Sequence, residues 1–513
     1  MLPGHGVLQR SIPIVGRSHK DKMSSSLTRK KSLATLLQQA KDSRLKRSLT
    51  VRGLVALGIG AIIGAGLFVR TAAASAEAAG PAVTLSFLVG AIGCVFAGMC
   101  YAEFAAMIPI AGSAYTYSYV TMGEFAAWTI GWALVLEYAL GATTVAISWS
   151  EYLNNLFHGA IPYQWCHSPM ETSLTGVHGI MNVPAVFILL VLTAVLIKGI
   201  QESSTLNSII VAIKVTIVIV FIVIGWHFIN PANYSPYFVP ADMPGHEGLF
   251  KHGWGGVLGG AGIVFFAFIG FDAVSTAAQE TKNPARDMPR GIMGSLLVCT
   301  ILYILFGYVL TGVANWKEFI IAGKEASVAY AIQHHMPGYE WLGTAVTIAI
   351  LAGFSSVILV MLLGQSRVFY SMANDGLLPK LFSDLHPTCR TPYKSNILLF
   401  FFVGTFAALI PESLAGDLTS IGTLFAFVLV CIGVWLMRRS NPNQPRPFRT
   451  PFVPLFPILG ALVCCGMIVA LDRRTQITAV CWMLLGFVVY FLYSRHHSKL
   501  LTPEPVGEPM KIE

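Results

Sequence analysis

G-I-G-A-I-I-G-A-G-L-F (58–68) and G-G-V-L-G-G-A-G-I-V-F-F-A-F-I-G-F-D (255–272) are the two stretches on which the fold turns. Each lies in an apolar segment where a helix facing lipid would carry Leu, Ile and Val. Glycine inside a helix costs about 1 kcal/mol per residue relative to alanine, so each run lowers the cost of unwinding. Close helix packing is the other use of such spacing, as in Gly60-xxx-Gly64. Two runs at matching places favour a different reading, in which two broken helices face each other.

The surrounding sequence says what those helices cross. Of 513 residues, 55% are hydrophobic and 12% charged, against about 25% charged in a soluble globular chain. A lipid-spanning helix needs about 20 apolar residues. Such segments fall near 53–72, 81–110, 124–153, 183–200, 206–229, 254–278, 291–314, 341–370, 395–411, 415–437, 453–471 and 476–494. The predicted fold is therefore an all-α membrane protein of about 12 transmembrane helices. The glycine-rich runs occupy the first and sixth, which predicts a five-plus-five inverted repeat with discontinuous helices 1 and 6, plus two C-terminal helices. The divisions are a segment at 1–52 with an amphipathic helix (Leu33, Leu36, Leu37, Ala40), repeats at 53–229 and 230–437, two added spans at 438–494, and a tail at 495–513.

The net charge of +9 is placed for a membrane and not for nucleic acid. Lys and Arg cluster at Arg29 to Lys31, Lys282/Arg286/Arg290, Lys380/Arg390/Lys394, Arg438/Arg439/Arg446/Arg449 and Arg495/Lys499, in alternate loops. Cytoplasmic loops retain positive charge, so both termini are expected in the cytoplasm, with Arg473-Arg474 the exception. Seven of the nine cysteines fall in spans, and Cys166 and Cys389 lie in loops on opposite sides, so no disulfide framework or zinc spacing emerges. His246-Glu247 lacks the second histidine of a metalloprotease helix and no phosphate loop is present, so neither an enzyme, a cofactor nor ATP is expected.

An unwound helix presents free N–H groups after its break and free C=O groups before it, which complement the carboxylate and ammonium of an amino acid. The carboxylate is assigned to the N–H groups of Gly64, Ala65 and Gly66. The ammonium is assigned to the carbonyls of Ile62, Phe265, Ala267 and Phe268. Phe266 is the candidate gate and Ile269 a wall of the side-chain pocket.

Ionisable groups within spans are costly and point to function. Lys214, about eight residues or roughly 12 Å into the fifth span, is too deep to reach the interface comfortably. It is the candidate proton carrier, with Glu137 of the third span as partner or second titrating group. Glu103 and Asp272 lie nearer cytoplasmic ends, where loop bonding competes with gating. Ser355 and Ser356 could serve a sodium ion, but an ammonium at Lys214 would repel it and take its place.

Six segments together resemble the amino acid–polyamine–organocation superfamily, and within it the cationic amino acid transporter family of bacterial type. They are L-V-A-L-G-I-G-A-I-I-G-A-G-L-F-V (54–69), Y-A-E-F-A-A-M-I-P-I-A-G-S-A-Y-T-Y (101–117), L-E-Y-A-L-G (136–141), F-F-A-F-I-G-F-D (265–272), E-T-K-N-P-A-R-D-M-P-R-G-I (280–292) and G-Q-S-R-V-F-Y-S-M-A-N-D-G-L-L-P (364–379). The resemblance implies alternating access, substrate held by backbone around Ile62, Gly64, Ala65, Gly66, Phe266 and Ile269, and proton coupling through the lysine at Lys214. Many relatives carry Ser or Thr where Ala65 stands, so a hydroxyl contact to the carboxylate is absent here. The expected activity is secondary transport of L-amino acids, neutral and cationic, driven by protons across the bacterial inner membrane. An exchanger and a nutrient sensor are the alternatives, and the sequence is silent on oligomeric state.

Overall fold

The computed structural model describes residues 27–32, 49–108, 113–173, 175–199, 204–321, 327–387, 389 and 391–501. The amphipathic segment expected at Leu33 to Ala40 lies outside them. Among the described residues the chain is helical, with only isolated bridges such as Leu49 to Thr281.

The first helical elements are α1 (Val51–Ile62), α2 (Ala65–Phe68) and α3 (Arg70–Ala74), which runs through a π-turn at Ser75–Ala79 to a corner at Gly80. Gly80 has φ +58° and Pro81 follows it, so the chain reverses into α4 (Val83–Met107). Next come α5 (Ser113–Thr121), α6 (Glu124–Val135), a π-turn at Leu136–Leu140 and α7 (Gly141–Leu156). α8 (Val183–Lys198) is capped by Asn182, whose side chain accepts from the Ala185 N–H at 3.1 Å, and ends on Gly199 in the left-handed region. α9 (Ser204–Gly225) follows.

α10 (Gly253–Val264) passes into a 3-10 turn at Phe265–Phe268 and then the short α11 (Ala273–Thr276). α12 (Pro284–Val313), α13 (Glu318–Ile321), α14 (Ser327–His335), α15 (Glu340–Asn374), α16 (Tyr393–Leu409), α17 (Glu412–Ser440), α18 (Leu455–Ala470) and α19 (Arg473–Val489) complete the order. Eight helical stretches among the described residues are long and apolar enough to cross a membrane, and four shorter apolar helices join them. This is a multi-pass helical membrane protein.

Burial follows sequence. α12 packs on α4 and α1, α15 on α7, and α17 on α18, while α10 leans on α4. α19 and α9 leave Leu484, Val488 and Val223 exposed, as lipid-facing helices do. Both described ends of the chain lie on one face, which Asp375 at the foot of α15 shares. Asn182, Glu318 and His335 mark the opposite face. There burial alone would raise the Glu318 carboxyl, but hydrogen bonds from His335 (2.7 Å), the Asn315 N–H (3.1 Å) and Tyr330 (3.1 Å) hold it below its usual range.

Candidate functional site

The helix over 58–68 breaks where glycine first makes it cheap. α1 stops at Ile62, Ile63 is extended (φ −73°, ψ 108°), and Gly64 caps the restart. Ala65 and Gly66 are the first residues of α2. The first hydrogen bonds beyond the break run from the Leu67 and Phe68 N–H groups to Gly64 O, at 3.1 and 3.4 Å. The N–H groups ahead of them therefore lie at a buried helix start, ahead of the helix's own hydrogen-bond ladder. The second run behaves alike: α10 tightens into the 3-10 turn at Phe265–Phe268, Ile269 is extended, and Gly270 turns back with φ +110°. Only glycine adopts that conformation without strain.

These breaks touch. A methyl group on Gly66 would fall onto the Ala267 backbone. One on Gly270 would come within 2.8 Å of Ala61 O. The glycines are thus required by backbone-to-backbone contact between the two unwound segments. Gly64 faces Val357 of α15, where an added Cβ would lie 3.3 Å from the Val357 side chain. Ile62, Ala65, Phe265, Phe266, Ala267, Phe268 and Ile269 are all buried there.

Sequence reasoning missed the residue that joins the breaks. The Tyr303 hydroxyl of α12 lies 3.0 Å from Ile62 O and 2.9 Å from Ala267 O, two of the carbonyls assigned to an ammonium. Its ring packs against Phe87 and Phe268, with centroids 5.4 Å away in each case. Phe265 and Phe271 pack edge-on and tilted against Phe427 of α17, which marks them as core.

Lys214, 3% exposed, donates from Nζ to Gly60 O at 3.1 Å, one half-turn before the first break. Its stem presses on Gly353 of α15, where an added Cβ would sit 2.8 Å from Lys214 Cε. The lysine therefore spans from α9 to α1 across α15, and the glycine makes room for it. Ser355 on α15 spends its hydroxyl on Leu351 O at 2.9 Å.

Glu137 sits in the Leu136–Leu140 π-turn, fully buried, where the side chains of Asp272 and Thr423 face it. Tyr138 donates to Asp272 Oδ2 at 3.2 Å. A cavity lined by Ser113, Tyr115, Gly364, Arg367 and Ser371 is bordered also by Tyr138 and Ala273, the chain neighbours of this carboxyl pair. Glu103 has a structural setting: Arg438 grips it at 2.7 and 3.1 Å and the Thr450 N–H at 2.8 Å.

Arg70 is a second omission. It is 1% exposed and binds Glu412 at 3.3 Å and Asp417, both on α17. A charge inside an apolar span was the signal available in the sequence.

A family model described as "Amino acid permease" matches residues 49–498. The chain is similar to the branched-chain amino acid permease BcaP of Bacillus subtilis (strain 168), 42% identical over 93% of this chain and 100% of that one. It is similar also to the methylthioribose transporter of the same organism, 40% identical over 93% of this chain and 99% of the relative. The vacuolar cationic amino acid transporter 2 of Arabidopsis thaliana is 34% identical over 84% of this chain and 66% of its own length.

Proposed function

The chain thus belongs to the amino acid permease family, a family of transporters and not enzymes, and we propose that it is a proton-coupled symporter of L-amino acids in the bacterial inner membrane. The observation that carries this reading is the meeting of two unwound helices at Gly66 and Ala267. Irregular backbone at membrane depth is tolerated where protein covers it or where it lines a site. Free N–H groups at Gly64, Ala65 and Gly66 suit a carboxylate, and the carbonyls of Ile62, Phe265, Ala267 and Phe268 suit an ammonium. In this reading 53–229 and 230–437 are the two inverted halves, Phe266 is the gate and Ile269 borders the side-chain pocket. The face that gathers the first and last described segments and the Arg438 cluster is cytoplasmic.

Lys214 is the proton carrier. Its ammonium on Gly60 O ties α9 to the last turn before the break, so gain or loss of its charge alters a contact at the substrate's own helix. Glu137, with Asp272 facing it, is the second proton site, and the neighbours Tyr138 and Ala273 border the cavity shared with Tyr115 and Ser371. The absence of a carboxylate in either break before Asp272 favours neutral side chains over strong selection for Arg or Lys.

A second reading comes from the relative named a methylthioribose transporter, whose sugar has neither ammonium nor carboxylate. Uptake into proteoliposomes separates the two. Branched-chain, small neutral and cationic amino acids and methylthioribose are compared with and without an inward pH gradient. Gradient-stimulated uptake of a neutral amino acid is expected, and saturable uptake of methylthioribose alone overturns the amino acid reading. Lys214→Met is expected to keep counterflow and lose gradient-driven accumulation. Full accumulation by that variant removes Lys214 from coupling, and a strict need for internal substrate makes the protein an exchanger.

A further inference from the structure

Tyr303 is where the two breaks meet a third helix, and none of the roles above is its own. Its Oη reaches Ile62 O at 3.0 Å and Ala267 O at 2.9 Å, and its ring is fully buried between Phe87 and Phe268. A phenol carries one proton, so it serves two carbonyls only by sharing that proton or alternating it between them. The hydroxyl thereby draws a backbone oxygen from the end of α1 and one from the turn after α10 to a single point. Each carbonyl keeps a second lone pair for another donor. The glycine contacts at Gly66 and Gly270 bring the segments together, but they are repulsive walls that set a closest approach. The Tyr303 hydroxyl is an attractive tie across the same gap.

We propose that Tyr303 is a positioning residue for the substrate's ammonium group: by tying Ile62 C=O to Ala267 C=O it fixes the spacing of the oxygens that receive the N–H donors. The proposal rests on the amino acid reading of the site. It assigns amine selectivity to a residue that touches the backbone and not the side-chain pocket. It also makes the two unwound segments move as one unit, because neither carbonyl can turn away without losing its share of the proton.

Tyr303→Phe removes the tie and keeps the ring between Phe87 and Phe268. The measurements are counterflow kinetics for the preferred amino acid, inhibition by the same acid without its amine, and melting temperature. KM for the amino acid is expected to rise about ten-fold, the effect of one hydrogen bond at the upper end of its usual worth, with the maximal rate within about two-fold. Inhibition by the des-amino acid should not change, so the preference for the amine narrows by the same factor, and the melting temperature should stay near that of the wild type. A KM within about two-fold of wild type overturns the proposal. Equal weakening of the amino acid and its des-amino analogue overturns it too. Phe87→Leu is the packing control: it should lower the melting temperature and leave amine preference intact, and a change in preference matching that of Tyr303→Phe would assign the effect to packing. A wild-type protein with no preference for the amine refutes the amino acid reading itself, whatever Tyr303→Phe does.

Discussion

One added methyl group at Gly66 tests whether contact between the breaks is obligatory. Its Cβ would overlap the Ala267 backbone, which cannot rotate away as a side chain can. Gly66→Ala is expected to lower counterflow by at least about 100-fold, because displacing backbone by about 1 Å at a positioning site costs that much. Gly466→Ala, at a position with nothing within 4 Å, should transport like wild type. Normal uptake by Gly66→Ala would mean that the breaks do not form the site. Gly66 and Gly270 were legible in the sequence because glycine in lipid has few reasons to be there. Lys214 was legible for the same reason, a charge where charge is expensive. Tyr303 was not, since a tyrosine in an apolar span looks like core, and only the arrival of two carbonyls from distant helices distinguishes it. The expectation that Ile62 and Ala267 offer free carbonyls left out this shared partner for the same reason.

Among elements, the link between α3 and α17 bears most directly on how the part of the first span beyond its break is held. Arg70 binds Glu412 and Asp417 at the start of α17, where the acids are 5% and 7% exposed and Arg70 is 1% exposed. A buried ion pair is neutral to stability when replaced whole, but removing one partner strands the others. Arg70→Met leaves two carboxyls without their cation and should cost about 3–5 kcal/mol. That loss reads as a clear fall in melting temperature in detergent, whereas Lys198→Ala, at an exposed position, should change stability by less than about 0.5 kcal/mol. An Arg70→Met protein that melts with wild type would show the cluster to be hydrated. The periodic apolar runs placed the spans, yet they could not place the π-turns at Ser75–Ala79 and Leu136–Leu140 or the early start of α12 at Pro284. Those features depend on tertiary contacts. The turn at Leu136–Leu140 sets Glu137 toward Asp272, a pairing across 135 positions of sequence that no local pattern encodes.

At the scale of the whole molecule, the first and last described segments of the chain converge on one turn between α5 and α6. The Glu124 N–H donates to Arg29 O at 2.8 Å, and the Lys31 N–H reaches Tyr119 O at 3.4 Å. Lys31 Nζ holds both oxygens of Asp375 at 2.6 and 2.7 Å and lies 5.0 Å from the Tyr119 ring centroid, while Tyr115 donates to Asp375 Oδ2 at 2.6 Å. From the other end, Ser498 and Tyr490 donate to Glu124 at 2.5 and 3.2 Å, and the Lys499 N–H binds Asp375 O at 3.0 Å. The turn at Glu124 and the foot of α15 are therefore held by described segments from opposite parts of the sequence, Arg29 to Lys31 and Tyr490 to Lys499. Hydrophobic periodicity is silent about such contacts, because they rest on single polar groups outside the spans. Their worth is correspondingly modest: the side chains of Lys31 and Asp375 remain 25% and 15% exposed, so solvent screens the pair to about 1 kcal/mol. Lys31→Ala should thus leave the bundle folded while freeing the segment whose Arg29 carbonyl binds the Glu124 N–H. Amide hydrogen exchange at Glu124 should speed up about five-fold, the factor that 1 kcal/mol of local opening energy provides, while exchange within α12 and α15 stays as in wild type. Unchanged exchange at Glu124 would place the hold on the backbone bond to Arg29 instead of the ion pair. Faster exchange throughout would make the ion pair part of global stability, against its partial exposure.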